Sequence, residues 1–188
     1  MELEQKALEE KTVASHLIFD GRVVHLYKDD IELPNGKAAF REYIKHIGAV
    51  CVLPLTDEGE VVLERQYRYP FHEVLTEIPA GKLDAPDEDP REAALRELRE
   101  ETGISCRELI DLGDFYGSPA ILGERIRMFV ARGLTFGERE LDEDEFLNVF
   151  RMPLDKAVEE VMAGRVPDAK TQVAILRVAR MLEKEKNK

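Results

Sequence analysis

Glu92, Glu97, Glu100 and Glu101 fall in one short run, Pro90-Arg91-Glu92-Ala93-Ala94-Leu95-Arg96-Glu97-Leu98-Arg99-Glu100-Glu101-Thr102-Gly103. On a helix, residues three and four apart share a face, so Glu97, Glu100 and Glu101 project together and repel one another. Two kinds of cation can relieve that repulsion. Arg91, Arg96 and Arg99 can form ion pairs, which would make the segment an ordinary solvated charged face. A divalent metal ion can bind the carboxylates instead, and hard oxygen donors suit Mg²⁺ or Mn²⁺. The chain has no His or Cys cluster that would suit zinc. Two features favour the metal. Ala93, Ala94, Leu95 and Leu98 give the helix its own apolar side, which leaves the carboxylates facing elsewhere. An irregular stretch, Gly81-Lys82-Leu83-Asp84-Ala85-Pro86, precedes it, as a site-forming loop would.

The helix that must carry these residues has clear ends. Asp89 can cap it, Pro90 fits the first helical position, Glu92 completes a capping-box pattern, and Gly103 stops it. Upstream, Val13 to Phe19, Arg22 to Leu33 and Ala38 to Ile47 read as strands, broken at Asp20-Gly21 and at the hairpin turn Pro34-Asn35-Gly36. Ala49 to Leu55 is a continuous apolar run, hence a buried strand, and Val61 to Tyr69 returns after Asp57-Glu58-Gly59. Downstream come strands near Leu109 to Tyr116, Arg125 to Leu134 and Phe146 to Met152, with an acidic loop from Gly137 to Glu145. Helices at Leu154 to Ala163 and Asp168 to Lys184 close the chain. The expected class is α/β (α+β): a mixed β-sheet sandwiched between helices, with an antiparallel strand-rich N-terminal appendage. The boundary is placed at 1–46 for the appendage, a candidate dimerisation segment, and 47–188 for the body.

Bulk properties bound the chemistry. With 188 residues, the chain is long enough to bury a core without disulfides, and Cys51 and Cys106 sit in apolar stretches as expected of free thiols. The formal net charge is −12, which disfavours nucleic acid and anionic membrane as bulk partners. The segment Met1 to Lys11 is too acidic for a targeting peptide, and no apolar run approaches the ~20 residues of a membrane helix. A cytoplasmic location is expected. An anionic substrate would then need local cations, either metal or a few well-placed Arg and Lys.

The order Glu88-x7-Arg96-Glu97-Leu98-Arg99-Glu100-Glu101-Thr102-Gly103-Ile104 resembles the Nudix box, G-x5-E-x7-R-E-U-x-E-E-x-G-U with U aliphatic. The departure is upstream, where six residues separate Gly81 from Glu88 instead of five. A loop before a helix cap absorbs such an insertion cheaply. The resemblance implies that Glu97 and Glu101 are direct metal ligands, that Glu100 binds directly or through water, and that the Ala80 carbonyl is a further ligand. It implies that Glu88 and Arg96 brace the loop against the helix.

Over most of the chain the likeness narrows to the ADP-ribose pyrophosphatase subgroup, in Arg41-Glu42-Tyr43, Arg65-Gln66-Tyr67-Arg68-Tyr69-Pro70 and Glu77-Ile78-Pro79-Ala80-Gly81. It implies substrate contacts from Arg41 and from Arg68, with Arg65 second, although either of the latter could be a plain solvated strand arginine. Pro119 stands 16 residues after Gly103, as in ADP-ribose-cleaving members, and Glu124 matches an acidic position of that loop. Related chains usually read Ser-Pro-Gly there, with a Pro where Gly117 stands; this chain has Gly117-Ser118-Pro119-Ala120. The base is expected in Leu141-Asp142-Glu143-Asp144-Glu145-Phe146, as Glu143 or Glu145, with Glu100 the alternative. The implied reaction is Mg²⁺-dependent hydrolysis of ADP-ribose to AMP and ribose 5-phosphate by a homodimer, with Mn²⁺ a possible substitute. Another nucleoside-diphosphate sugar, such as ADP-glucose or GDP-mannose, is the alternative substrate. A non-catalytic nucleotide-sensing module is the rival of a different class; it would be expected to lack box carboxylates that this chain keeps.

Overall fold

The computed structural model describes residues 7–141 and 146–187. The chain divides into two compact units, Met1–Ile47 with Ser118–Glu124, and Gly48–Gly117 with Arg125–Lys188.

The first unit is an antiparallel sheet, β1 (Lys11–Asp20), β2 (His25–Glu32) and β3 (Ala38–Lys45), in that order. The turn that joins β2 to β3 needs a left-handed residue, and Gly36 supplies it at φ 78°. There Asn35 accepts from the Lys37 N–H, which sets Glu32 opposite Ala38. The stretch Ser118–Glu124 joins this sheet through Ile44 N to Ile121 O and Gly123 N to Ile44 O. Several apolar side chains of the unit, Val13, Leu17, Phe19 and Phe40 among them, are exposed.

The second unit holds two sheets, where one had been expected. The strands β4 (Ala49–Pro54), β7 (Ala80–Lys82), β8 (Ile104–Phe115) and β9 (Ile126–Phe136) form the order β7-β4-β9-β8, with β4 and β9 parallel and the rest antiparallel. The strands β5 (Glu60–Arg68), β6 (Glu73–Glu77) and β10 (Leu147–Pro153) form a second sheet, β10-β5-β6. Alternation along β4 builds two cores. Cys51 and Leu53 pack with Ala157 and Val161 of α2 (Leu154–Met162) and with Ala174, Ile175 and Val178 of α3 (Ala169–Lys186). Val50 and Val52 pack with Ala93, Ala94 and Leu98 of α1 (Pro90–Thr102). Helices therefore cover both faces, and the class is mixed α+β as expected.

The Asp89 cap, the Pro90 start and the Gly103 stop of α1 agree with the sequence signals. Asp89 accepts from Arg91 N at 2.8 Å, and Gly103 stands at φ 70° with its N–H on the Arg99 carbonyl. Three details differ. Strands β6 and β7 were not anticipated, and β8 starts at Ile104, directly after the helix stop. Leu95, assigned to the apolar side of α1, is exposed. Neither cysteine forms a disulfide; Cys51 is buried, whereas Cys106 is only half-buried. Among the described residues, no helix is long and apolar enough to cross a membrane.

Candidate active site

The second unit carries a cleft of about 340 Å³. Its helical wall is α1, which presents Arg96, Glu97, Glu100 and Glu101. Opposite are Ala80, Gly81 and Lys82 of β7, and Gln66 and Arg68 of β5. Helical spacing thus brings the three carboxylates to one place, and strand alternation brings Gln66 and Arg68 together.

Contacts between α1 and β7 fix the carboxylates. Glu101 is 3% exposed, and it accepts from the Ala80 N–H at 2.9 Å. A Cβ on Gly81 would lie 2.0 Å from the Glu97 carboxylate, so the bare glycine backbone is what lets the acid approach β7. Arg96 gathers the other acids. Its Nη1 donates to Glu97 at 2.8 Å and to Glu100 at 3.2 Å, and its Nη2 reaches Glu88 at 3.4 Å. Glu88 also accepts from the Asp84 N–H at 2.6 Å, and this ties down the loop that carries the extra residue. Burial acts to lower the Arg96 pKa, but Glu97 foremost, then Asp84 and Glu88, raise it well above the ordinary value.

These residues fit a divalent cation by donor chemistry: hard carboxylate oxygens one turn apart, beside a glycine whose missing side chain leaves room for the Glu97 carboxylate. Among the described residues, no three acidic side chains already converge as a ligand cage. Glu97 and Glu100 are held by Arg96, and Glu101 by a backbone N–H.

Arg68 lies along the cleft, with its Nε and Nη2 on the two oxygens of Glu77 at 2.6 and 2.8 Å. That bidentate bond raises its pKa above the ordinary arginine value. Arg65 does not join it. The period of two sends Arg65 to the other face of β5, where its guanidinium stacks 4.4 Å from the centre of the Phe150 ring. Arg41, Pro119 and Glu124 belong to the first unit. There Arg41 pairs with Glu10, Glu124 lies 3.5 Å from His46, and Pro119 sits in an exposed turn. Glu143 and Glu145 lie outside the described residues.

The residues that precede them in the acidic loop are placed. Gly137 N donates to Gly103 O at 2.8 Å and Glu140 N to Glu100 O at 3.1 Å, and Glu140 lines the cleft. The loop thus starts from the C-terminal end of α1, whose last carbonyls it satisfies. Glu140, Gln66 and Lys82 were missed as cleft residues. Alternation with Arg68 could have found Gln66; Lys82 and Glu140 stand in the two stretches already singled out, but nothing local picks them within those stretches.

A mixed fold with helices on both faces, and a glutamate-bearing helix along a cleft, define the class. Residues 45–172 match the NUDIX domain family, and residues 10–44 match the nucleoside diphosphate sugar hydrolase N-terminal domain. The chain belongs to the Nudix family and is a pyrophosphohydrolase of it; such hydrolases generally use divalent metal ions. Over 172 residues it is 49% identical to an ADP-ribose pyrophosphatase of Bacillus subtilis, which covers 90% of this chain and 92% of that one. It is 46% identical, with the same coverage, to a methanol dehydrogenase activator of Bacillus methanolicus. A solved structure described as an ADP compounds hydrolase shares the fold, with a TM-score of 0.82 at 24% identity, over 94% of this chain and 96% of that one.

Proposed function

We propose that this enzyme hydrolyses the diphosphate bond of ADP-ribose to AMP and ribose 5-phosphate, with Mg²⁺ as the cation and Mn²⁺ as a working substitute. The observation that carries the substrate is the 49% identity to an ADP-ribose pyrophosphatase along nearly the whole of both chains. In this reading Glu97 and Glu101 are direct ligands of the cation. Glu100 and the Ala80 carbonyl complete the protein's share. When bound, the cation offsets diphosphate charge and makes water easier to deprotonate. Arg68 holds a phosphate oxygen. Arg41, Pro119 and Glu124 keep a substrate-binding role on the family likeness, whereas Arg65, stacked on Phe150, gives up its place to Arg68. Glu143 or Glu145 accepts the proton of the attacking water, with Glu100 as the alternative acceptor.

The exposed apolar side chains of the first unit support a homodimer formed through that segment. Two cysteines outside any disulfide suit the reducing cytoplasm. Light scattering should give about twice the 21.5 kDa of one chain; a monomer at micromolar concentration would rule the dimer out. The substrate is tested by a panel of ADP-ribose, ADP-glucose and GDP-mannose with Mg²⁺, both products being identified by mass. ADP-ribose should give the highest kcat/KM, and a higher value for either other sugar would replace it as the substrate.

A further inference from the structure

Glu77 ends β6 at 1% exposure, and two cations converge on it. Arg68 takes both oxygens through its Nε–Nη2 edge. Lys170, on the first turn of α3, donates to Glu77 Oε2 and also lies 3.1 Å from Asp168. Asp168 caps α3 by accepting from the Thr171 N–H at 2.9 Å and from its hydroxyl at 2.5 Å. The Thr171 oxygen accepts in turn from the Ile78 N–H at 2.9 Å, one residue beyond Glu77. A continuous chain of bonds therefore runs from the helix cap through Lys170 and Glu77 to an arginine that lines the cleft.

Stability alone is a poor reason for this arrangement. Buried ion pairs seldom outperform well-packed apolar residues of the same size, because desolvation offsets their attraction. Fixed geometry is what they do supply. A planar guanidinium held at two N–H groups has its orientation set, and the Nη1 end is turned away from Glu77. The Arg68 side chain is 37% exposed while that of Glu77 is 2% exposed, so the free end of the pair belongs to Arg68.

We infer that Glu77 is a positioning residue, which aims Arg68 at the substrate diphosphate, and that Lys170 fixes Glu77 from the other side. The inference rests on the proposed contact of Arg68 with the diphosphate.

A double-mutant cycle tests it, with KM and kcat for ADP-ribose and the melting midpoint measured for each variant. Arg68→Ala and Glu77→Gln should each raise KM about tenfold, the loss expected when charge-assisted bonds to substrate go, with kcat nearly unchanged. The double variant should bind no worse than Arg68→Ala alone, within about twofold, because coupled residues do not add. Lys170→Met should raise KM less. If Glu77→Gln folds poorly, the charge-balanced Glu77→Gln/Lys170→Met pair replaces it with the same expected KM. A normal KM for Glu77→Gln, or a double variant that sums the single effects, would overturn the inference and leave the role of Arg68 standing. A normal KM for Arg68→Ala would remove that role and the inference with it.

Discussion

A methyl group at Gly81 would sit 2.0 Å from the Glu97 carboxylate, so one of the two would have to move. Gly81→Ala should therefore displace Glu97 and lower turnover by roughly 10²-fold, the usual result of misplacing a reacting group by about 1 Å. Circular dichroism should show the fold retained; unchanged kcat would mean that Glu97 does not need this position. Glu97→Gln keeps the shape but removes the charge, and turnover should fall by about 10²-fold or more. At this scale the glutamates of α1 were legible because helical spacing is itself geometry. The family likeness ranked Arg68 ahead of Arg65, but residue type does not say which of them faces the cleft. The face of β5 puts Arg65 on Phe150 and Arg68 along the cleft. The Glu77 partner of Lys170 stands 93 residues away, a pairing that no local pattern reveals.

Each end of α1 has its own dependence. Asp89 caps the first turn, and Asp89→Ala should cost about 1 kcal/mol, read as a lower urea midpoint with the m-value unchanged. At the other end, Gly103 combines a φ of 70° with backbone of Gly137 and Glu138 at 2.4 to 2.9 Å from where a Cβ would stand. Gly103→Ala should therefore cost more than the roughly 1 kcal/mol of the backbone strain alone, and it should push the Gly137–Glu140 stretch off the helix end. If Gly103→Ala were no worse than Asp89→Ala, the loop would not be packed there. Helix α1 could be read from caps and periodicity because both are local. Strands β6 and β7 could not: β7 has only three residues and exists by pairing with Ala49 to Cys51 of β4. Proline and glycine around it, Pro79 and Gly81, read locally as loop. The division of the second unit into two sheets was hidden for a similar reason, since pairing between distant strands sets it.

For the molecule as a whole, acid should act through Glu77. Burial alone would raise its pKa, but Arg68 and Lys170 hold it below the ordinary 4.5. A carboxyl depressed in the folded state contributes stability above its unfolded pKa, and that contribution fades as pH falls through the folded value. The melting midpoint of the wild type should thus drop as pH falls below about 4.5, and the gap to Glu77→Gln should narrow over the same range. A gap that stays constant with pH would mean that the pair stabilises nothing by charge. The sign of the whole surface was also legible from composition: at a net charge of −12 the protein cannot attract a diphosphate by its overall field, so local cations must do so. The most direct test is to incubate the wild type and Glu97→Gln in parallel with ADP-ribose and Mg²⁺ and to weigh the products. The wild type should release AMP and ribose 5-phosphate in equal amounts, with Glu97→Gln about 10²-fold slower. Intact ADP-ribose with the wild type, or equal rates for the two proteins, would contradict the account.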